Sequence, residues 1–156
     1  MTDSRPVRVA YQGVPGAFSE EAALGFAPGG QAVGFPSFQE AFSAAADGTV
    51  DFACLPVENS IAGSINQTYD LLTDSDLNVV GERIVRVHHN LLVRPGVQLA
   101  EVKRVYSHPQ ALAQCAGYLR SHGFEAVTDF DTAGAAKLLA ENGGEGKAAI
   151  ASLRAA

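Results

Sequence analysis

The sequence predicts an α/β fold built as two lobes. Strand and helix patterns alternate through the first part of the chain, and the same alternation restarts at residue 102. Between these parts, residues 78–93 show an extended pattern interrupted by charges, which is long enough to connect two lobes. We therefore expect lobes over residues 1–82 and 83–156 with a ligand cleft between them. A single doubly wound sheet is the competing topology.

Hydrophobic periodicity gives the individual elements. Apolar runs bounded by turn residues predict strands at residues 7–11, 32–35, 52–57, 102–106, 125–128 and 148–151. Helical spacing predicts helices that start at residue 18, span 38–46, pass through 69–72, and span 109–122 and 132–141. The run at 52–57 is apolar throughout, which is typical of a strand buried on both faces.

Composition narrows the class of protein. The 156 residues are 47% hydrophobic and 18% charged, as in an ordinary globular protein. Seventeen acidic and 11 basic residues give a net charge of −6 without a basic cluster, so we expect no nucleic-acid partner. No apolar run reaches about 18 residues, so we expect no membrane partner. The first residues resemble neither a signal nor a transit peptide, which favours the cytoplasm.

The cysteines and histidines do not have the spacing of a metal site. Cys54 and Cys115 lie in apolar surroundings and are expected to be small buried hydrophobes. His88 and His89 are adjacent in an extended segment, so one is expected to face the core or the cleft and the other solvent. We therefore expect no bound metal.

Four junctions at the ends of strands carry small and polar residues, and we expect them to form the site. They are residues 12–19, 58–64, 107–110 and 131–135. The free N–H groups and the dipole of a helix N-terminus suit a carboxylate ligand. The alternative is that the polar side chains at these junctions act only as helix caps.

Two of these junctions have a further interpretation. Glu58, Asn59 and Ser60 follow an apolar strand, so they are either cleft residues or a capping network within one lobe. Ser107 and His108 could suggest a hydrolase nucleophile and base, but adjacent residues rarely align for proton transfer and no Gly-x-Ser-x-Gly sequence surrounds them. We therefore give the hydrolase hypothesis little weight.

Five blocks, in order along nearly the whole chain, resemble one known family. They are VAYQGVPGAFS at residues 9–19, LPVENSIAGSI at 55–65, VHH at 87–89, SHPQALAQC at 107–115 and DTAGAA at 131–136. These blocks are similar to the catalytic domain of the prephenate dehydratases and the related arogenate dehydratases. The resemblance implies a two-lobed periplasmic-binding-protein-like (type II) architecture with the active site between the lobes.

The resemblance also implies a reaction. The protein would be a carbon–oxygen lyase of phenylalanine biosynthesis that converts prephenate to phenylpyruvate, or arogenate to phenylalanine, with loss of carbon dioxide and water. No cofactor is expected, and the partner is the small-molecule substrate. A non-catalytic module of the same fold that binds small carboxylates is the alternative.

The resemblance assigns roles to individual residues. The predicted catalytic residues are Asn59, Ser107 and Gln114. The predicted substrate-binding residues are Ser19, Glu58, Ser60, Ser64, His108, Pro109, Gln110, Thr132, Ala133, Gly134 and Ala135. Asp131 could pair with the amino group of arogenate, and a helix cap is the alternative role for its carboxylate.

The chain departs from the family pattern in two ways. Ala17 stands where the family usually has Thr or Ser, so one hydroxyl contact is missing. The catalytic Thr-Arg-Phe motif of the family does not occur in these 156 residues, nor does the regulatory ACT domain. We therefore expect an incomplete first lobe and weak or absent activity of these residues alone, within a longer protein that forms a homo-oligomer.

Overall fold

A computed structural model describes residues 5–156. The chain forms two compact units, which we call the first and the second unit. The first unit comprises the residues up to Val14 and residues 18–85, and the second comprises residues 15–17 and 86–156. Among the described residues no helix is long and apolar enough to cross a membrane.

The first unit is built on a three-stranded parallel sheet with the strand order β2-β1-β3. Its elements are β1 (Arg8–Gln12), α1 (Phe18–Phe26), β2 (Gln31–Phe35), α2 (Phe38–Ala46), β3 (Phe52–Ala53), β4 (Glu58–Asn59), β5 (Gly63–Ser64) and α3 (Asn66–Thr73). β4 and β5 form a separate antiparallel hairpin. Small residues fill the core, where Ala10 of β1 packs against Ala41 and Ala44 of α2 and against Val50.

The second unit is built on a four-stranded mixed sheet with the strand order β6-β9-β7-β8. Its elements are β6 (Asn90–Leu92), β7 (Arg104–Ser107), α4 (Pro109–Gln114), α5 (Ala116–Ser121), β8 (Glu125–Thr128), α6 (Thr132–Asn142) and β9 (Lys147–Ala151), with short 3-10 helices at Leu99–Glu101 and Leu153–Ala155. Val105 and Ala148 are fully buried and join Leu112 and Leu119 in one core cluster.

The sheet of the second unit gathers several chain segments at one edge. β7 runs parallel to β8 and β9, so these strands end at the same edge with Ser107, Thr128 and Ala151. β6 is antiparallel to β9 and starts at Asn90, opposite Ala151. The segment before β6 therefore reaches the same edge as the segments that follow β7, β8 and β9.

The prediction of a buried strand over residues 52–57 is wrong after Ala53. Residues 54–57 have no regular structure, and Val57 is 43% exposed. Within residues 5–156 β3 pairs only with β1, and Pro56 has no N–H group to donate to a further partner. Apolar character alone therefore did not make this run a strand.

The extended pattern over residues 78–93 yields only the three residues of β6. Val79, Val80 and Ile84 are 74%, 65% and 90% exposed, in a stretch without regular structure. A strand needs a neighbour to bond its N–H and C=O groups, and β9 provides one only at Asn90–Leu92.

The helix predicted over residues 109–122 is interrupted at Cys115. This residue has φ −96° and ψ 4°, so α4 ends before it and α5 begins after it. Gly117 in the following turn has low helix propensity and contributes little to continuity. The helices predicted over residues 38–46 and 132–141 are confirmed by α2 and α6, which ends at Asn142.

Candidate active site

Ser107 ends β7 and is fully buried. Its hydroxyl donates a 2.6 Å hydrogen bond to the carbonyl oxygen of Ile150 in the neighbouring strand β9. The hydroxyl proton is therefore engaged within the sheet. The Ser107 oxygen retains the capacity to accept a hydrogen bond.

His108 caps the N-terminus of α4 with its ring. Its Nδ1 accepts a 3.2 Å hydrogen bond from the backbone N–H of Gln110, and Pro109 follows at the first helical position, where a missing N–H costs nothing. His108 and Pro109 are exposed and Gln110 is half-buried. Since Ser107 and His108 bond to different partners, the structure does not form the serine and histidine pair of a hydrolase.

Gln114, the last residue of α4, contacts His89. The side-chain oxygen Oε1 of Gln114 lies 2.8 Å from Nε2 of His89, and both side chains are half-buried. A carbonyl oxygen only accepts hydrogen bonds, so this contact is a hydrogen bond in the His89 tautomer that carries its proton on Nε2. His88 is exposed, which confirms that the two adjacent histidines face different surroundings. His89 had no role among the predicted site residues, because nothing in the local sequence identifies a partner 25 residues away.

Asp131 caps α6, which is the alternative role that the sequence suggested for its carboxylate. Its Oδ1 accepts a hydrogen bond from the N–H of Gly134, and its backbone carbonyl accepts one from Ala135 at 3.1 Å. Two of the backbone N–H groups predicted to bind substrate are thus already bonded. Thr132 is half-buried and Ala133 is buried at the start of the same helix.

Asn59 holds the turn of the β4–β5 hairpin. Its Oδ1 accepts from the N–H of Ile61 at 2.9 Å and from that of Ala62 at 3.1 Å. The carboxamide NH2 is therefore the group that Asn59 can offer to a ligand. The turn closes through Gly63, whose φ of +82° is readily adopted only by glycine.

The other predicted residues of the first unit surround this hairpin or lie on α1. Glu58 pairs with Ser64 across the hairpin, and both are exposed, as is Ser60. Ser19 is the second residue of α1 and is half-buried. The predicted residues thus form two sets, one in each unit, and each set contains one carboxamide side chain predicted to be catalytic, Asn59 or Gln114.

Two further buried hydroxyls escaped sequence reasoning. Ser152 donates to the carbonyl oxygen of Gly16 at 2.6 Å, and Thr68 donates to that of Pro56 at 2.7 Å. Like Ser107, each satisfies a carbonyl group that would otherwise lose its hydrogen bond to water. These residues position loops near the predicted site.

Burial raises the pKa of the Cys54 and Cys115 thiols, so both are protonated at neutral pH. Both cysteines are half-buried, close to the predicted core role. Within residues 5–156 no three His, Cys, Asp or Glu side chains cluster in a way that could hold a metal ion.

Comparison with known proteins gives the family. The family model described as "Prephenate dehydratase" matches residues 9–156. The chain belongs to the prephenate dehydratase family. The recognition made from the five sequence blocks is thereby confirmed.

Several relatives within this family are curated as arogenate dehydratases. The chain is 48% identical over 165 residues to arogenate dehydratase/prephenate dehydratase 6, chloroplastic, of Arabidopsis thaliana, covering all of this chain and 40% of that protein. It is 47% identical to arogenate dehydratase 2 of Petunia hybrida, covering 99% of this chain and 39% of that protein. The chain therefore spans about two fifths of the length of these relatives.

Solved structures of family members share the mixed α/β fold. A crystal structure of prephenate dehydratase from Arthrobacter aurescens, in complex with L-Phe, has a TM-score of 0.87 and 29% identity over 96% of this chain and 51% of its own. Prephenate dehydratase from Staphylococcus aureus gives a TM-score of 0.76 and 26% identity over 94% of this chain and 55% of its own. The predicted α/β class is thereby confirmed.

Proposed function

We propose that the protein containing this chain is a prephenate or arogenate dehydratase, a carbon–oxygen lyase of phenylalanine biosynthesis. The observation that carries the proposal is the family match over residues 9–156, together with 48% identity to a relative named for both activities. The placement of two carboxamide donors, Asn59 and Gln114, is consistent with the chemistry.

The reaction needs orientation more than strong acid–base groups. The ring carboxylate leaves as carbon dioxide, and its bonding electron pair enters the ring. The hydroxyl on the ring carbon opposite the carboxylate leaves and takes a proton to become water. Because the ring becomes aromatic, the enzyme has mainly to align the carboxylate and to stabilise the departing oxygen.

Neutral hydrogen-bond donors suit this task. The NH2 groups of Gln114 and Asn59 can donate to oxygen atoms on which negative charge develops, and a donor in such a position is worth about 100- to 1,000-fold in kcat. We assign these two residues as catalytic. Ser107 is assigned a supporting role, since its proton is engaged by Ile150 and its oxygen could act only as an acceptor.

The predicted binding residues keep their roles in this proposal. The hydroxyls of Ser19, Ser60, Ser64 and Thr132, the side chains of Glu58, His108 and Gln110, and the backbone at Pro109 and Ala133 to Ala135 would contact substrate. Because the N–H groups of Gly134 and Ala135 are bonded to Asp131, Thr132 and Ala133 are the stronger candidates there.

The architecture, the oligomeric state and the absence of a cofactor that we propose follow from the same family. We propose the two-lobed periplasmic-binding-protein-like architecture with lobes at 1–82 and 83–156, substrate contacts from both, and a homo-oligomeric complete protein without cofactor. We also propose the cytoplasm as its location, although the Arabidopsis relative is named chloroplastic.

A product assay tests the proposal. The complete gene product is incubated with prephenate and with arogenate in parallel, and phenylpyruvate and phenylalanine are measured by chromatography. We expect one or both products, and a loss of about 100-fold or more in kcat for Gln114→Leu. Gln39→Leu, at an exposed position of α2, is the matched control and should keep full activity.

The same assay separates the enzyme from the non-catalytic carboxylate-binding alternative. A binding module would show heat of binding with prephenate or phenylpyruvate in calorimetry, without any aromatic product. The absence of both products in the assay of the complete protein would refute the dehydratase proposal. A reading frame that continues past codon 156 to a Thr-Arg-Phe sequence would support it.

One relative carries a second activity in its name. A bifunctional N-acyl-homoserine lactone acylase/prephenate dehydratase of Komagataeibacter europaeus is 40% identical over 95% of this chain and 53% of that protein. For this chain, the serine considered for a hydrolase is buried and bonded to Ile150, which does not favour acyl transfer to Ser107. The dehydratase therefore remains our only functional proposal.

A further inference from the structure

A glutamine side chain can present either an acceptor or a donor to a ligand. Its terminal carboxamide has two orientations, which exchange the positions of the oxygen and the NH2 group. In Gln114 the oxygen lies 2.8 Å from His89 Nε2, so the oxygen is directed at the ring and the NH2 group is directed away from it. A His89 ring that carries its proton on Nε2 favours this orientation over the reversed one.

His89 is held by the sheet of the second unit. It directly precedes β6, whose Asn90 is paired with Ala151 of β9. The side chain of Asn90 adds hydrogen bonds from Nδ2 to the carbonyl oxygens of His88 at 3.1 Å and Ala151 at 3.3 Å. The backbone on both sides of the imidazole is therefore fixed at the sheet edge where β7, β8 and β9 end.

Gln114 is held by α4. Ala111 and Leu112 bury one side of this helix, and the N–H of Cys115 bonds to the carbonyl of Ala111. The helix ends after Gln114, which is half-buried and so remains accessible to a ligand. These contacts fix the backbone of Gln114 but do not fix the orientation of its carboxamide.

We infer that His89 is a positioning residue that holds the Gln114 carboxamide with its NH2 group toward the substrate. The inference rests on the proposed dehydratase function for the identity of that substrate. In the selected orientation, Gln114 donates to the departing hydroxyl. In the reversed orientation, its carbonyl oxygen would face the developing negative charge and would repel it.

Three variants of the complete protein test the kinetic consequence. His89→Leu removes the donor, and we expect kcat to fall by up to about 100-fold with KM nearly unchanged. His89→Gln supplies a donor near the position of Nε2 and should recover most of kcat. His88→Leu, at the exposed neighbouring position, is the matched control and should be unaffected.

A double-mutant cycle tells positioning from general structural damage. If His89 acts through Gln114, His89→Leu should have no further effect on kcat in a Gln114→Leu background. Equal effects of His89→Leu in both backgrounds would overturn the inference. An equal loss in His89→Gln and His89→Leu would also overturn it.

Nitrogen NMR provides a readout that does not depend on turnover. We expect the His89 imidazole to be protonated at Nε2 in the folded protein at neutral pH, with a hydrogen-bond coupling to the Gln114 carbonyl. A tautomer protonated only at Nδ1 would require the Gln114 NH2 to donate to the ring, which would refute the inference. If the NMR result is as expected but no aromatic product forms, the proposed function fails and the positioning of the carboxamide stands.

Discussion

The hydroxyl of Ser152 donates a 2.6 Å hydrogen bond to the carbonyl oxygen of Gly16, 136 residues earlier in the chain. Both groups are buried within the second unit. The same hydroxyl oxygen accepts from the N–H of Ala155 at 3.1 Å and so caps the last 3-10 helix. One side chain therefore fixes the segment after β9 and residues 15–17, which we call the glycine loop.

Replacing Ser152 by Ala should destabilise the protein by about 1–3 kcal/mol, because it removes the buried hydrogen bond from the Ser152 hydroxyl to the carbonyl of Gly16. Urea unfolding followed by circular dichroism measures the change. Ser121→Ala is the matched control, since the Ser121 hydroxyl bonds to Tyr118 at an exposed site. That control should change the free energy of unfolding by less than about 0.5 kcal/mol. Equal effects of the two variants would contradict the role assigned to Ser152.

Gly16 should not tolerate a side chain. It has φ +93°, and a Cβ atom there would lie 2.7 Å from Cα of Ala155. Gly48 has a similar φ of +76° with open space around it, so Gly48→Ala measures the backbone cost alone, about 1–2 kcal/mol. We expect Gly16→Ala to cost about 1–3 kcal/mol more than Gly48→Ala in the same unfolding experiment. Similar costs would show that the contact with Ala155 relaxes easily.

Ser107→Ala should destabilise the second unit by about 1–3 kcal/mol, because Ile150 loses a buried hydrogen bond. The same burial predicts that serine-reactive phosphonates do not label the folded wild-type protein. Mass spectrometry after incubation with such a reagent checks this. A phosphonylated Ser107 would revive the hydrolase hypothesis.

Asp131→Asn should retain the cap of α6, because asparagine caps helices about as well as aspartate. Asp131→Ala should cost about 1 kcal/mol in unfolding. Because the carboxylate is engaged by Gly134, we expect Asp131→Asn to leave the ratio of arogenate to prephenate turnover unchanged in the complete protein. A clear fall in that ratio would instead assign Asp131 to the amino group of arogenate.

The two thiols should make stability decrease at alkaline pH. Burial raises the pKa of Cys54 and of Cys115 in the folded state, so folding favours the protonated forms. Their contribution is fully present below the unfolded-state pKa of about 8.5 and is lost as the pH rises through the folded-state pKa. Urea unfolding of wild type and of Cys54→Ala with Cys115→Ala at neutral and alkaline pH measures it. The wild type should lose more stability than the double variant.

Local sequence signals predicted the elements that depend on local interactions. The strand at residues 125–128 and the helix at 38–46 have the predicted bounds, and the cap of α6 by Asp131 required only residues three positions apart. The strand prediction failed at residues 54–57, where the outcome depends on a neighbouring strand, and the extended pattern of residues 78–89 does not form a strand.

In the candidate site too, features set by the local sequence were predicted and contacts set by the tertiary fold were not. Polar residues at strand ends could be read from the sequence, because their position follows from local periodicity. The hydrogen bonds from Ser107 to Ile150 and from Ser152 to Gly16, and the contact of His89 with Gln114, join residues 43, 136 and 25 positions apart. No local pattern encodes such pairs, because the tertiary fold brings them together, as the pairing of β7 with β9 does for Ser107 and Ile150.

The grouping of residues 15–17 with the second unit has a consequence for biosynthesis. Gly16 is added to the growing chain 136 residues before Ser152. At about 5–20 residues per second, the loop waits roughly 7–27 s for the side chain that holds it. A ribosome-bound chain can therefore complete the sheet of the first unit early, while the second unit has to recruit an N-terminal segment that emerged long before its own strands.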